Sequence, residues 1–446
     1  MPQLPLVSHV SPQQVIAWHA DGAVTVGRFL NDVRQLAALF PSGGSLFNIC
    51  GDRYCFSVGL AAAIVTGKIS LLPSTHTPET VRQIKSFAPD VFCLTDNDTC
   101  TVDLPRLRYP VTSPPRGATF NIPQIDVGQN IAVVFTSGST GAPQPYPKTW
   151  GAMVTSVKAE AEQLGVSNDT CWNLVGTVPP QHMYGFESTV LMAWQSANAY
   201  SHSHPFYPAD ICQALAAVPT PRMLVSSPVH LRALLDAGLT IPEIAGVVSA
   251  TAPLSVQLAR DIEARCNAPL MEIYGSTETG QIASRRSTQT SEWQLFPGIR
   301  LVMNGDCASA CGGHIETPTV MSDLLEPITE ERFLLHGRKA DLVNIAGKRH
   351  SLASLNHTLN SIAGVEDGAF FMPDDSTDHV TRLAACVVAP GMQASELLSA
   401  LREHIDPVFL PRPLLFMEAL PRNSTGKLPR EALQALLYPH SRKETA

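Results

Sequence analysis

Ile131-Ala-Val-Val-Phe-Thr-Ser-Gly-Ser-Thr-Gly141, continued by Ala142-Pro-Gln-Pro-Tyr-Pro-Lys148, decides how this 446-residue chain is understood. The apolar, β-branched run 131–135 predicts a buried strand that breaks at once into a loop of hydroxylated residues and glycine. Gly138 and Gly141 permit positive φ and close approach of the backbone to an anion, while Thr136, Ser137, Ser139 and Thr140 offer hydroxyl and amide donors. The loop is expected to hold phosphates. It lacks the Gly-Lys-Ser/Thr ending of the common nucleotide loop, and prolines at 143, 145 and 147 forbid an immediate helix. The donors must therefore come from the loop rather than from a helix N-terminus.

Upstream, residues 46–95 alternate strand and helix, with Thr77-Pro-Glu-Thr80 as a helix start of Thr cap, first-turn Pro and early acid. This rhythm continues through 172–178, 223–227 and 244–249, which predicts an α/β fold of doubly wound, mixed or parallel sheets. From Leu342 the chain becomes a smaller α+β unit, with helices expected near 354–361 and 394–404. The division expected is a large domain over 1–337, a hinge at 338–341 and a small mobile domain over 342–446. A net charge of −8 without any dense Lys/Arg cluster argues against a nucleic-acid surface. The longest uncharged apolar stretch, around 57–67, is too short to span a bilayer, so a cytoplasmic protein is expected. Ten cysteines show no paired metal-site spacing and are read as buried, reduced thiols. His202 and His204, in Ser-His-Ser-His, are read as part of a flexible surface turn rather than as metal ligands.

Four motifs in order resemble the adenylate-forming superfamily, which includes acyl- and aryl-CoA synthetases. They are the phosphate loop; Met271-Glu-Ile-Tyr-Gly-Ser-Thr-Glu-Thr-Gly280; Ser322-Asp323 with Gly337-Arg338 beyond it; and Pro421-Arg-Asn-Ser-Thr-Gly-Lys427. The first region, about 130 residues, is short for that family and suggests a compact member. The resemblance implies roles for individual residues. Tyr274 stacks on adenine and Gly275 turns the chain beneath the ligand; Ala252, in Ser249-Ala-Thr-Ala-Pro-Leu254, borders the purine. Thr277 bonds the α-phosphate, and Glu278 is the carboxylate for Mg²⁺. Asp323, helped by Arg338, accepts the ribose hydroxyls. His182, with Tyr184 and Phe186 as pocket walls, lines the acyl site. Lys427 acts in adenylation, and Gly347 lies beside the thiol arm. The chain departs from the family at Gln144, where lysine is usual, and Lys148 is expected to reach back over the phosphates in its place. Ser322 and Ala340 are further departures.

The resemblance implies an ATP- and Mg²⁺-dependent acid–thiol ligase. It would activate an acyl or aryl carboxylic acid as its adenylate and pass it to a pantetheine thiol, on CoA or an acyl carrier protein. The alternatives are an adenylating enzyme with a non-thiol acceptor, a luciferase-like oxidase of the adenylate, and a nucleotide-binding protein without turnover.

Overall fold

A computed structural model of the chain describes residues 2–73, 75–110, 120–136, 144–166, 170–305, 307–338, 342–345, 348–373, 382–423 and 428–437. The strand at the centre of the sequence argument, Asn130–Thr136, alternates its side chains between two cores. Ala132 and Val134 face one, Val133 and Phe135 the other. That two-sided burial is what a doubly wound sheet requires. The strand belongs to a six-stranded sheet ordered Gln144–Thr149, Asn130–Thr136, Ile69–Leu72, Ser45–Asn48, Phe92–Thr95, Arg106–Arg108. All neighbours in it are parallel except the first pair.

A second sheet of eleven strands takes its parallel centre from Leu270–Ser276, Gly246–Ser249, Arg222–Ser226, Asn173–Gly176, Ala199–Ser201 and, from the start of the chain, Val15–His19. Antiparallel strands extend it on both sides. Helices 208–216, 228–236 and 256–266 cover one face through Ile211, Leu231 and Ile262. The largest core lies between the two sheets. It is filled by the helix Arg53–Val65, whose apolar residues point in all directions, as a helix buried on every side must. Asp52 caps that helix by accepting from Cys55 N at 3.0 Å.

Arg53 is fully buried and is held by carbonyl oxygens. Its guanidinium donates to the carbonyls of Ser201 (3.1 Å), Gly176 (2.8 Å) and Val178 (3.2 Å), and to that of Ser203. Burial lowers its pKa to about 10. Helix 53–65 is thereby locked to the second sheet.

Residues 343–437 pack two cores of their own around the strands Asp367–Phe371, Ala384–Val388 and Leu414–Phe416. The expected helices occur as Leu352–Ser361 and Ala394–His404, and a further helix, Arg430–Leu437, was not anticipated. No helix among the described residues is long and apolar enough to cross a membrane.

Two expectations need correction. All ten cysteines are free, but only Cys50, Cys93 and Cys386 are buried; six are half-buried and Cys171 is exposed. His202 and His204 are not on a loose turn. His202 Nδ1 bonds Asp52 Oδ2 (2.5 Å) and His204 Nε2 bonds Thr177 O (3.0 Å), because the turn is drawn onto the Arg53 junction.

Candidate active site

The parallel strands Arg222–Ser226, Gly246–Ser249 and Leu270–Ser276 end on the same edge of the large sheet, and the nucleotide motifs follow these ends. In open α/β sheets this is where ligands bind. Leu270–Ser276 turns back as Gly280–Arg285, with a register slip after Tyr274. Gly275 is compelled by that slip, since a Cβ there would stand 2.3 Å from the Gly280 carbonyl oxygen. The turn is closed by reciprocal bonds. Ser276 N donates to Thr279 Oγ1, and Thr279 N to Ser276 Oγ, each at 3.2 Å. Thr277 and Glu278 stand at its tip, Glu278 exposed.

Three elements hold this turn. The first is the edge strand Gln144–Thr149, which tolerates Pro145 and Pro147 because an edge needs fewer amide donors. Lys148 on it is only 8% exposed. Its ammonium donates to Thr277 O at 2.6 Å and approaches Glu278 O at 3.5 Å. Burial lowers its pKa, against the carboxylates of Glu187, Glu278 and Glu316. The sequence placed this ammonium over the phosphates; here it grips the backbone of the turn. Two residues earlier on the same strand face, the Tyr146 hydroxyl sits against Glu278 and Thr136, and burial followed by the Glu278 charge raises its pKa.

The second support is His314, whose Nε2 meets Thr279 O at 2.9 Å. A carbonyl only accepts, so Nε2 carries the proton. Burial pushes this imidazole down to about 4, keeping it neutral. The third is a π-helical turn, Phe186–Leu191. It brings Glu187 beneath Gly280, bonded to Ser156 Oγ (3.1 Å). Beside it Glu160 is fully buried, with the Gln281 amide oriented to donate to both its oxygens (3.0 and 3.1 Å) and to accept from Ser188 (2.7 Å). Burial raises Glu160 to about 8 and Glu187 to about 7.

The Tyr274 hydroxyl donates to Asp323 Oδ2 at 2.6 Å, and its ring packs against Trp293 (5.5 Å) and Phe333 (5.7 Å). Asp323 heads its strand directly opposite Arg338 in the antiparallel register. The turn carrying Ala252 contains Thr251 at φ +79°, a conformation glycine normally supplies. His182 caps the helix 183–185, its Nδ1 accepting from Tyr184 N (3.2 Å). Tyr184 is buried and donates to Val248 O (3.1 Å). Phe186 is fully buried in the main core.

Thr277, Glu278, Lys148, Tyr274, Gly275, Asp323 and the backbone of Arg338 are thus gathered on one edge. Thr136 ends the strand paired with the one that carries Lys148. Ser137, Gly138, Ser139, Thr140, Gly141, Ala340, Gly347 and Lys427 lie outside the described residues. The segment leading to Lys427 is anchored by Arg422, which makes paired bonds of 2.8 and 2.7 Å to Asp367. Sequence reasoning missed Tyr146, His314, Glu187 and Glu160. Only Tyr146 had a signal, its place two residues from Lys148 on an extended segment.

The oxygen donors around the turn, the Glu278 carboxylate foremost with the Thr277 hydroxyl beside it, fit Mg²⁺ rather than a softer ion.

Comparison with known proteins gives the same direction. A family model described as AMP-binding enzyme matches residues 54–305. A 4-coumarate–CoA ligase of Rhodobacter capsulatus is 28% identical over 300 residues, covering 66% of this chain and 74% of its own. A 2-succinylbenzoate–CoA ligase of Staphylococcus epidermidis is 22% identical over 350 residues, covering 72% and 71%. In fold, the chain is similar to the o-succinylbenzoate CoA synthetase of Bacillus subtilis solved with its acyl-adenylate intermediate. The TM-score is 0.82 at 17% identity, covering 97% of this chain and 99% of that one.

Proposed function

The chain belongs to the AMP-binding enzymes, and from that premise we propose that it ligates a carboxylic acid to the thiol of CoA, with ATP cleaved to AMP and pyrophosphate. An aryl or medium acyl acid is favoured, because the relatives named above are ligases of 4-coumarate and 2-succinylbenzoate. The observation that carries the reading is the pair of gripped nucleotide groups: Asp323 fixed by Tyr274 (2.6 Å) and the Thr277–Glu278 tip fixed by Lys148 (2.6 Å).

In the first step a carboxylate oxygen of the acid attacks the α-phosphorus, the bond to the β-phosphate bridge breaks, and pyrophosphate leaves. The protein's work is positioning and charge neutralisation. Asp323 receives the ribose hydroxyls, Tyr274 and the turn of Ala252 flank the purine, and the loop 136–141 with Thr277 holds the phosphates. Mg²⁺ held by Glu278 would neutralise the leaving pyrophosphate. Lys427 pairs with the acid and α-phosphate in the transition state. In the second step the thiolate sulfur attacks the acyl carbon and AMP leaves. For this the 342–446 unit turns about 338–341, withdrawing Lys427 and bringing Gly347 to the thiol arm.

The test is pyrophosphate release across aryl and fatty acids, followed by mass spectrometry for the CoA thioester. Lys427→Ala should slow adenylate formation about a hundredfold or more while sparing thioester formation from supplied adenylate. Pyrophosphate release with no thioester to CoA, but transfer to a carrier-protein pantetheine, would move the acceptor to the carrier. No release with any acid would overturn the reading.

A further inference from the structure

Away from the nucleotide edge, three side chains from distant parts of the chain converge. His19 ends the strand Val15–His19, Asp52 caps the helix Arg53–Val65, and His202 follows the strand Ala199–Ser201. His202 Nδ1 lies 2.5 Å and His19 Nε2 3.8 Å from the same oxygen, Asp52 Oδ2. The two imidazole rings are 4.3 Å apart, and one donor atom from each of the three residues falls within 4.8 Å of the others.

We propose that His19, Asp52 and His202 form a binding site for a divalent transition-metal ion of the zinc type, distinct from the Mg²⁺ of catalysis. Two imidazole nitrogens and one carboxylate oxygen are a donor set that suits Zn²⁺, Co²⁺ or Ni²⁺ and does not suit Mg²⁺, which takes oxygen. Three protein donors leave room for water, and the side chains, 29%, 23% and 25% exposed, leave a path for the ion to enter.

The ring orientation supports the same assignment. His19 presents Nε2 to the cluster while its buried Nδ1, which has no hydrogen-bond partner, faces the Asp21 carboxylate at 3.8 Å. A carboxylate behind a ligating imidazole is the usual outer support of a metal site. As the side chains stand, Asp52 Oδ2 pairs closely with His202 alone and lies 3.8 Å from His19, whereas a cation between the rings would draw on all three groups.

The donors are also held in place from behind. Asp52 caps its helix and donates its own N–H to Asp96 Oδ2 (2.8 Å). His202 N bonds Trp18 O, and Arg53 N bonds His202 O, each at 2.8 Å. Preorganised ligands of this kind lower the cost of binding. A bound ion would clip the first hairpin of the chain, at the edge of the eleven-stranded sheet, to the helix that fills the core between the sheets. Its effect belongs to stability rather than to catalysis.

The experiment uses the full chain stripped with chelator and titrated with Co²⁺, then with Zn²⁺ in competition with a chromogenic chelator. The expected result is one ion per chain, visible absorption of a nitrogen–oxygen site without a thiolate charge-transfer band, and a rise in the thermal midpoint with Zn²⁺. His19→Gln, His202→Gln and Asp52→Asn, the last of which keeps the helix cap, should each weaken Co²⁺ binding at least tenfold and remove the thermal shift. Circular dichroism of the three variants controls for folding. The proposal is overturned if the parent chain gives no Co²⁺ spectrum, if the three variants bind like the parent, or if a thiolate band places the ion on cysteine.

Discussion

Thr251 holds a β-branched side chain at φ +79°, in the left-handed region that glycine ordinarily occupies. Such a backbone costs about 1–3 kcal/mol, part of which a glycine would give back as chain entropy on unfolding. Thr251→Gly should therefore stabilise the protein by about 1 kcal/mol, seen as a higher urea midpoint at unchanged slope. A lower midpoint would mean that the threonine side chain contributes more than its strain removes. Lys148 is a second residue whose environment fixes its role. Lys148→Met keeps the apolar stem but leaves Thr277 O without its charged donor, a loss of about 1.5–3 kcal/mol for such a bond. The expected consequence is a fall of about 10- to 100-fold in kcat/KM for ATP, measured as pyrophosphate release at subsaturating ATP. Adding Gln144→Lys should restore little, since a charge placed at 144 does not replace a grip on the turn. Substantial restoration would return Lys148 to the phosphate role expected from sequence.

At the scale of elements, the hairpin of Leu270–Ser276 and Gly280–Arg285 is the least forgiving part of the site. Gly275→Ala drives a Cβ onto the Gly280 carbonyl, and should cost about 3 kcal/mol in denaturant unfolding along with most ATP use. The Asp367–Arg422 pair is more forgiving, because both side chains are a quarter exposed and an exposed pair contributes about 1 kcal/mol or less. Its importance is positional. Asp367→Ala should lower adenylate formation at least tenfold by releasing the segment before Lys427, with thioester formation from supplied adenylate preserved; equal losses in both steps would refute this. The strands, the Thr77 cap and the Tyr274, Glu278 and Asp323 motifs were legible in sequence, because each is written in contiguous residues whose chemistry admits few substitutes. The supports were not. His314 and Glu187 reach the turn from a separate three-stranded sheet and from a π-helical turn, and i→i+5 bonding leaves no periodicity to read. Gly275 was read as turning the chain beneath the ligand, and the close approach of the neighbouring strand is a second demand for glycine that the sequence did not show.

For the whole molecule, buried titrating groups set the pH of greatest stability. His9, His204 and His314 are each depressed to about 4 by burial, so below about pH 6.5 the unfolded chain binds more protons at these sites and stability falls with acid. Glu160 and Glu187 act in the opposite sense. Their folded values of about 8 and 7 lie above the ordinary carboxylate value of 4.5, so their contribution is full below about pH 4.5 and is lost progressively as pH rises to 7 and 8. Three histidines outweigh two glutamates on the acid side, and only the glutamates remain above 6.5. The denaturation midpoint should peak near pH 6.5, and Glu160→Gln should flatten the alkaline fall; an unchanged fall would assign it elsewhere. The strand order of the large sheet bears on how the chain is made. Val15–His19 leaves the ribosome well before its parallel partner Ala199–Ser201, which begins 180 residues after His19. At about 5–20 residues per second the strand waits roughly 10–40 seconds with an unpaired edge. Nascent-chain folding should therefore be most exposed to chaperones and to mispairing in that interval, and synonymous codons that slow translation between 20 and 200 should lower the yield of active protein more than the same codons placed after 200.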